Sequence, residues 1–118
     1  KERRAGKIVN VSSINGLRGR PGTAAYAAAK AGIAGFTRAT AREIGAFNVN
    51  VNAVAPGWVD TPLMARMPPG ARDQAVCESC LGRVATPRDV AGVIAFLASE
   101  DARHITGEVV RVDGGQIS

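Results

Sequence analysis

At 118 residues, 46% of them hydrophobic and 21% charged, the chain has the make-up of one soluble globular domain or of part of a larger one. The net charge of +5 comes mainly from twelve arginines, scattered singly apart from Arg3 and Arg4 and with few aromatics among them, which argues against nucleic-acid binding. No run approaches the roughly 20 apolar residues needed to span a bilayer, and no basic-then-apolar signal opens the chain, so no membrane segment and a cytoplasmic location are expected.

The chain opens at Lys1 and its first methionine is Met64, from which a fragment of a longer protein is expected. Ile8 to Val11 is a short β-branched run ending in Ser12 and Ser13, and reads as a buried strand entering a polar turn. The segment from Ile14 to Thr23, with three glycines, two arginines and a proline, reads as a loop. From about Ala24 to Ala46 the chain is alanine-rich, and Ala29, Ile33, Phe36, Thr40 and Ile44 recur at helical spacing, which predicts a long helix with that stripe on one face. Gly32 and Gly35 each cost about 1 kcal/mol against alanine inside a helix. They are expected either to admit a second backbone or to be merely tolerated.

Val49, Val51 and Ala53 alternate with Asn48, Asn50 and Asn52 before a break at Pro56-Gly57, the pattern of a second strand and its terminal turn. Residues 58 to 83 hold Pro62, Pro68, Pro69 and Gly70 without a clean period, and read as a long excursion with one short helix. Thr86 fits an N-cap, with Pro87 at the first helical position and Asp89 three residues after the cap. Val90, Val93, Ile94 and Leu97 then follow at i, i+3, i+4 and i+7. Val109, Val110 and Val112 supply a third strand between Gly107 and Gly114-Gly115. Strand, helix, strand, helix, strand with long crossovers implies an α/β fold whose parallel sheet carries packed helices, and in such sheets ligands bind at the carboxyl ends of the strands. Ser12-Ser13 and Pro56-Gly57 both fall there.

Cys77 and Cys80 form a C-x-x-C, but zinc asks for four ligands and His104 is the only other good candidate, so two reduced thiols are preferred to a metal site. Tyr26 and Lys30 are four residues apart on the long helix and share a face about one turn apart. A phenol is a poor proton shuttle at neutral pH, and a neighbouring ammonium favours its phenolate, which suits general acid–base work. Any helix with a Tyr and a Lys can show this spacing. It gains weight from Ser13, thirteen residues earlier at a strand end, where a hydroxyl would reach a carbonyl held beside the phenol.

These residues and their surroundings resemble the short-chain dehydrogenase/reductase family, in its 3-oxoacyl-[acyl-carrier-protein] reductase-like branch. The matching words are IVNVSSINGLRG at 8–19, YAAAKAGIAGFTRATARE at 26–43, VNVNAVAPGWVDTPL at 49–63, RVATPRDVAGVIAFLAS at 83–99 and ITGEVVRVDGG at 105–115, in the family's order and over nearly the whole chain.

The resemblance implies that residues 1–118 are the C-terminal, catalytic half of a Rossmann-type doubly wound parallel sheet, with residues 58–83 as a substrate lid. It implies NAD(P)(H)-dependent interconversion of a ketone and a secondary alcohol, with NADP slightly favoured over NAD. Tyr26 would be the general acid or base, Lys30 would favour the phenolate and bind the nicotinamide ribose, and Ser13 would polarise the substrate carbonyl. Pro56, Gly57, the Val59 backbone and the Thr61 hydroxyl would meet the nicotinamide carboxamide, a plain strand-ending turn being the alternative at Pro56-Gly57.

The expected substrate is a small carbonyl or alcohol, or an acyl-carrier-protein thioester, and the expected assembly of the complete protein is a homodimer or homotetramer. Residues 90–97 and 109–112 would serve as interface as well as core, and His104 as a structural residue.

The glycine-rich turn that holds the cofactor pyrophosphate, and the upstream Asn-Asn-Ala-Gly word, have no counterpart in these 118 residues. A non-catalytic fragment or dimerisation module is therefore the alternative function. The Ile8–Val11 strand would also be an open sheet edge, so the chain expressed alone is expected to be poorly soluble or only partly folded.

Overall fold

The computed structural model describes residues 5–117, in which three strands form one fully parallel sheet: β1 (Gly6–Val11), β2 (Val49–Pro56) and β3 (Val109–Val112), with β2 central. Four helices connect or flank them: α1 (Ile14–Arg18), α2 (Ala24–Ile44), α3 (Ala71–Glu78) and α4 (Pro87–Leu97). Short 3-10 turns occupy Gly45–Phe47, Pro62–Arg66 and Glu100–Ala102. No helix among the described residues is long and apolar enough to cross a membrane.

Adjacent residues of β1 show how the layers are set. Val9 packs into the cluster built by Val54, Leu97 and Ala102, while the Asn10 amide donates to the Thr37 hydroxyl of α2 at 3.0 Å. Successive strand residues face opposite sides of a sheet, so α4 and α2 cover opposite faces. β2 lies between them, and Asn50 to Ala55 are all buried. Complete burial of Val51 and Val54 stabilises the fold by roughly 1.5–3 kcal/mol each.

The two asparagines on β2 are consequently not a solvated face. Asn52 donates to the Ile105 carbonyl at 2.9 Å and accepts from the Glu108 N–H at 3.1 Å; Asn50 donates to the Arg103 and Ile105 carbonyls. Together they hold the connection that leads into β3, satisfying main-chain groups that have no ladder partner there.

The helix read at Thr86 forms as expected. The Thr86 hydroxyl accepts from the Asp89 N–H and the Asp89 carboxylate accepts from the Thr86 N–H, closing a capping box behind Pro87. Val90, Val93 and Ile94 pack against the core cluster that contains Leu97.

Three readings need correction, and one left open is decided. β1 is not buried as read: it is an edge strand with Ile8 and Val11 exposed, because only β2 pairs with it among the described residues. The segment Ile14–Thr23 is not all loop: Ile14–Arg18 is one short helix, started by the Ser13 hydroxyl accepting from the Asn15 N–H at 3.2 Å and ended at Gly19 with φ 72°. The face that α2 buries is also rotated. Ala34, Thr37 and Ala41 are its buried residues, whereas Ala29 and Phe36 point outward, because only small side chains fit where the helix lies close to the sheet. At Gly32 and Gly35, no described residue outside the neighbouring backbone of α2 itself comes within 4 Å of an added Cβ, so of the two expectations the tolerated glycine holds there; the close backbone approach is at Gly16. A Cβ there would lie 2.8 Å from Lys30 and Ala31, so α1 sits directly on α2.

Candidate active site

The carboxyl ends of β1 and β2 open into a cleft of about 240 Å³. Ser13, Tyr26, Lys30, Pro56, Gly57 and Val59 all line it. The structure thus brings together six of the seven residues singled out above. Thr61 lies instead in an adjoining recess with Trp58 and Met64, at the start of the 3-10 turn Pro62–Arg66.

Main-chain bonding places these side chains. The Ser12 N–H donates to the Val54 carbonyl at 2.7 Å, extending the β1–β2 pairing one residue past β1. The Ser12 hydroxyl donates to the Lys30 carbonyl at 2.7 Å, and the Lys30 ammonium reaches back to the Val11 carbonyl at 3.4 Å. The end of β1 and the second turn of α2 are thereby locked together. Ser13, buried and serving as the N-cap of α1, is presented on the cleft wall by the same junction.

Tyr26 is half exposed, with the Lys30 ammonium 5.7 Å from its ring centroid. That is within the range of a cation–π contact, worth about 0.5–1 kcal/mol at an exposed position. One helical turn therefore supplies a phenol on the cleft wall and a cation beside its ring, two groups of the kind that proton transfer to a carbonyl oxygen needs.

The opposite wall comes from the excursion over residues 58–83. It is closed at its base, where the Ala85 N–H donates to the Trp58 carbonyl at 3.0 Å and the Asp60 N–H to the Ala85 carbonyl at 2.8 Å. Within it the 3-10 turn Pro62–Arg66 and α3 bring Met64, Met67 and Ala75 over the cleft. Cys77 and Cys80 are free and exposed, and His104 lines a separate recess with Lys7 and Glu100 at the amino end of the sheet.

Sequence reasoning missed three further charged residues of the cleft, Arg18, Arg20 and Glu78, as well as Gln116. The Glu78 carboxyl is held below the usual carboxylate range, first by the hydrogen bond from the Gln116 amide and then by the Arg18 guanidinium, against an opposing effect of burial. Trp58 was passed over as well. Its indole Nε1 is buried without a hydrogen-bond partner among the described residues. Arg18 to Glu78 and Glu78 to Gln116 are separated by 60 and 38 residues, so no local pattern announces them.

Comparison with known proteins places these features in a wider group. A family model described as Enoyl-(Acyl carrier protein) reductase matches residues 1–116. The 3-oxoacyl-[acyl-carrier-protein] reductase FabG of Thermotoga maritima is 47% identical over 116 residues, covering 98% of this chain and 47% of that protein. The (3R)-3-hydroxyacyl-CoA dehydrogenase of Mus musculus is 46% identical over 110 residues, covering 93% and 42%. A crystal structure of the 3-oxoacyl-[acyl-carrier protein] reductase from Brucella melitensis superposes with a TM-score of 0.93 at 38% identity, covering 99% of this chain and 44% of that one. The chain spans about half the length of the curated relatives it matches. Its parallel sheet with helices on both faces is thus part of a Rossmann-type fold.

Proposed function

The chain belongs to the short-chain dehydrogenase/reductase family, and on that premise we propose that it is the catalytic part of an NAD(P)(H)-dependent oxidoreductase that interconverts a ketone and a secondary alcohol. The observation that carries this reading is the convergence of Ser13, Tyr26 and Lys30 on one cleft at the carboxyl ends of β1 and β2. When bound, the nicotinamide supplies or accepts the hydride.

The chain's own residues do the rest. The Ser13 hydroxyl donates a hydrogen bond to the substrate carbonyl oxygen, fixing it beside the Tyr26 hydroxyl. Tyr26 gives its proton to that oxygen as negative charge develops there, or takes the proton from the alcohol in the reverse direction. Lys30, held by the Val11 carbonyl, keeps a positive charge over the phenol ring. Met64, Met67 and Ala75 cover the cleft and keep water from the reacting carbon.

The residues present fit the reactive end of the cofactor. The open space in front of Pro56-Gly57 adjoins Tyr26 and Lys30, and the Trp58 Nε1 proton nearby has no acceptor among the described residues. The names of the relatives favour a β-ketoacyl thioester, on an acyl carrier protein or on coenzyme A, as substrate, and the family resemblance makes NADPH the first cofactor to try. The exposed Phe36 of α2 and Phe96 of α4 are the apolar positions through which subunits of the whole protein would meet.

The test uses the full-length protein, following NADPH or NADH oxidation with a β-ketoacyl thioester. Tyr26→Phe is expected to lower kcat by about 10²-fold or more while cofactor affinity stays within about threefold, as read by fluorescence titration. Undiminished turnover in that variant would overturn the role of Tyr26.

A further inference from the structure

The far end of the lid is bound into the cleft at more points than a free flap needs. Glu78 Oε1 accepts from Gln116 Nε2 at 2.8 Å and from Arg18 Nη1 at 3.3 Å, so one carboxylate oxygen joins the end of α3, the turn after β3 and the end of α1. The residues after Glu78 continue the contact. The Ser79 hydroxyl and the Leu81 N–H both donate to the Gly114 carbonyl, at 3.3 and 3.2 Å, and the Cys80 thiol donates to the Gly115 carbonyl at 3.3 Å.

From this junction two chains of bonds run to the walls of the cleft. Gln116 Oε1 accepts from the Trp58 N–H at 3.4 Å, which ties it to the turn at the end of β2. Arg18 Nε donates to Asn15 Oδ1 at 3.3 Å, and the Asn15 N–H is the group capped by Ser13. The backbone is shaped for the contact. A Cβ on Gly57 would lie 2.6 Å from Gln116 Oε1 and 2.9 Å from the Asp113 Cβ, and Cβ atoms on Gly114 and Gly115 would lie 2.7 and 2.8 Å from Ser79 Oγ and Cys80 Sγ. Gly57, assigned above to the cofactor side, thus has a second reason to lack a side chain.

We propose that Glu78 and Gln116 are positioning residues that act as one unit, clamping the end of the lid to the turn after β3 and, through Trp58 and Arg18, holding the substrate wall in register with Ser13 and the Gly57–Trp58 turn. The clamp rests on the oxidoreductase reading only where turnover is measured. Its own state is reported by Cys80, which is exposed and whose thiol bonds to the clamped turn.

The experiment takes the full-length protein and measures two quantities: the modification rate of Cys80 by an aromatic disulfide reagent, read on its peptide by mass spectrometry, and KM and kcat for the carbonyl substrate. Glu78→Ala and Gln116→Ala are each expected to raise the Cys80 rate and KM about tenfold, the scale of one charge-assisted hydrogen bond, with kcat within about threefold. The double variant should be no worse than the worse single one, because both break the same unit.

Gln116→Glu, which sets a second carboxylate against Glu78, should open the clamp without shortening a side chain, and E78Q combined with Q116E should restore both readouts to within about threefold by exchanging donor and acceptor. Additive effects in the double alanine variant, an unchanged Cys80 rate, or failure of the exchanged pair to restore it would overturn the clamp. If the parent protein turns over no carbonyl substrate, the oxidoreductase reading falls while the Cys80 rates still decide the clamp.

Discussion

Replacing Gly16 with alanine tests the link between helix packing and the proposed catalytic group most directly. In the interior of a helix that change alone favours alanine by about 1 kcal/mol. At Gly16 the added Cβ would meet the Lys30 Cβ, the Lys30 carbonyl carbon and the Ala31 nitrogen at 2.8 Å. Carbon atoms pack best at about 3.5–4.0 Å, so α1 and α2 must part by roughly 0.7 Å or more. Two of the three opposing atoms are backbone, and no rotamer relieves them. Overpacking of this kind costs about 1–3 kcal/mol. The balance is a destabilisation of up to about 2 kcal/mol, opposite in sign to the intrinsic preference.

The functional consequence is larger, because the helix that moves is capped by Ser13 and the helix it leaves carries Tyr26 and Lys30. A shift approaching 1 Å between reacting groups costs up to about 10²-fold in rate, so kcat/KM is expected to fall by about tenfold to 10²-fold. Urea unfolding and steady-state reduction, both on the full-length protein, measure the two effects. A variant that gains about 1 kcal/mol and keeps its turnover would mean that α1 is not packed as described and that Ser13 is not placed by it.

Asn52→Ala removes a fully buried amide and leaves the Glu108 N–H without an acceptor, so a loss of about 3 kcal/mol is expected; a urea midpoint shifted by the equivalent of less than about 1 kcal/mol would contradict the clamp it makes on the 105–108 connection. Asp89 gives a pH signature. Its carboxyl lies below the usual carboxylate value, first because it accepts from the Thr86 N–H and then because of Arg83, so its contribution to stability is present above the unfolded value of about 3.9 and is lost as pH falls through the lower folded one. Asp89→Asn should therefore flatten the fall in stability below about pH 4, measured as urea midpoint against pH; an unchanged slope would remove the capping box as its cause.

How far these features can be read from residues depends on the range of the interaction behind them. The capping box at Thr86 and the i, i+3, i+4, i+7 pattern after it are local, and α4 lies where they place it. α1 is local too, but its five residues are shorter than two helical turns and show no period, and Gly16 and Gly19 on either side of Arg18 look like loop composition. Gly16 is glycine because of Lys30 and Ala31 on another helix, a reason absent from its own neighbourhood. The same limit explains Phe36. Hydrophobicity alone assigns it to the core, yet it is 62% exposed, and the sheet-facing positions go to Ala34, Thr37 and Ala41 because the separation of α2 from β2 leaves no room for a ring.

The site divides along the same line. Ser13, Tyr26 and Lys30 are within one strand–helix unit, so their spacing alone brings them together once β1 and α2 form. The clamp at Glu78, by contrast, joins three segments that meet only after the sheet has assembled, and its members are ordinary surface residues in sequence. Chemistry concentrated in one local unit and alignment spread over distant ones implies different mutational behaviour. Changes at Tyr26 should act on kcat with the fold intact, whereas changes at Glu78, Gln116 or Gly57 should act on the shape of the cleft, and so on KM, through partners far away in the chain.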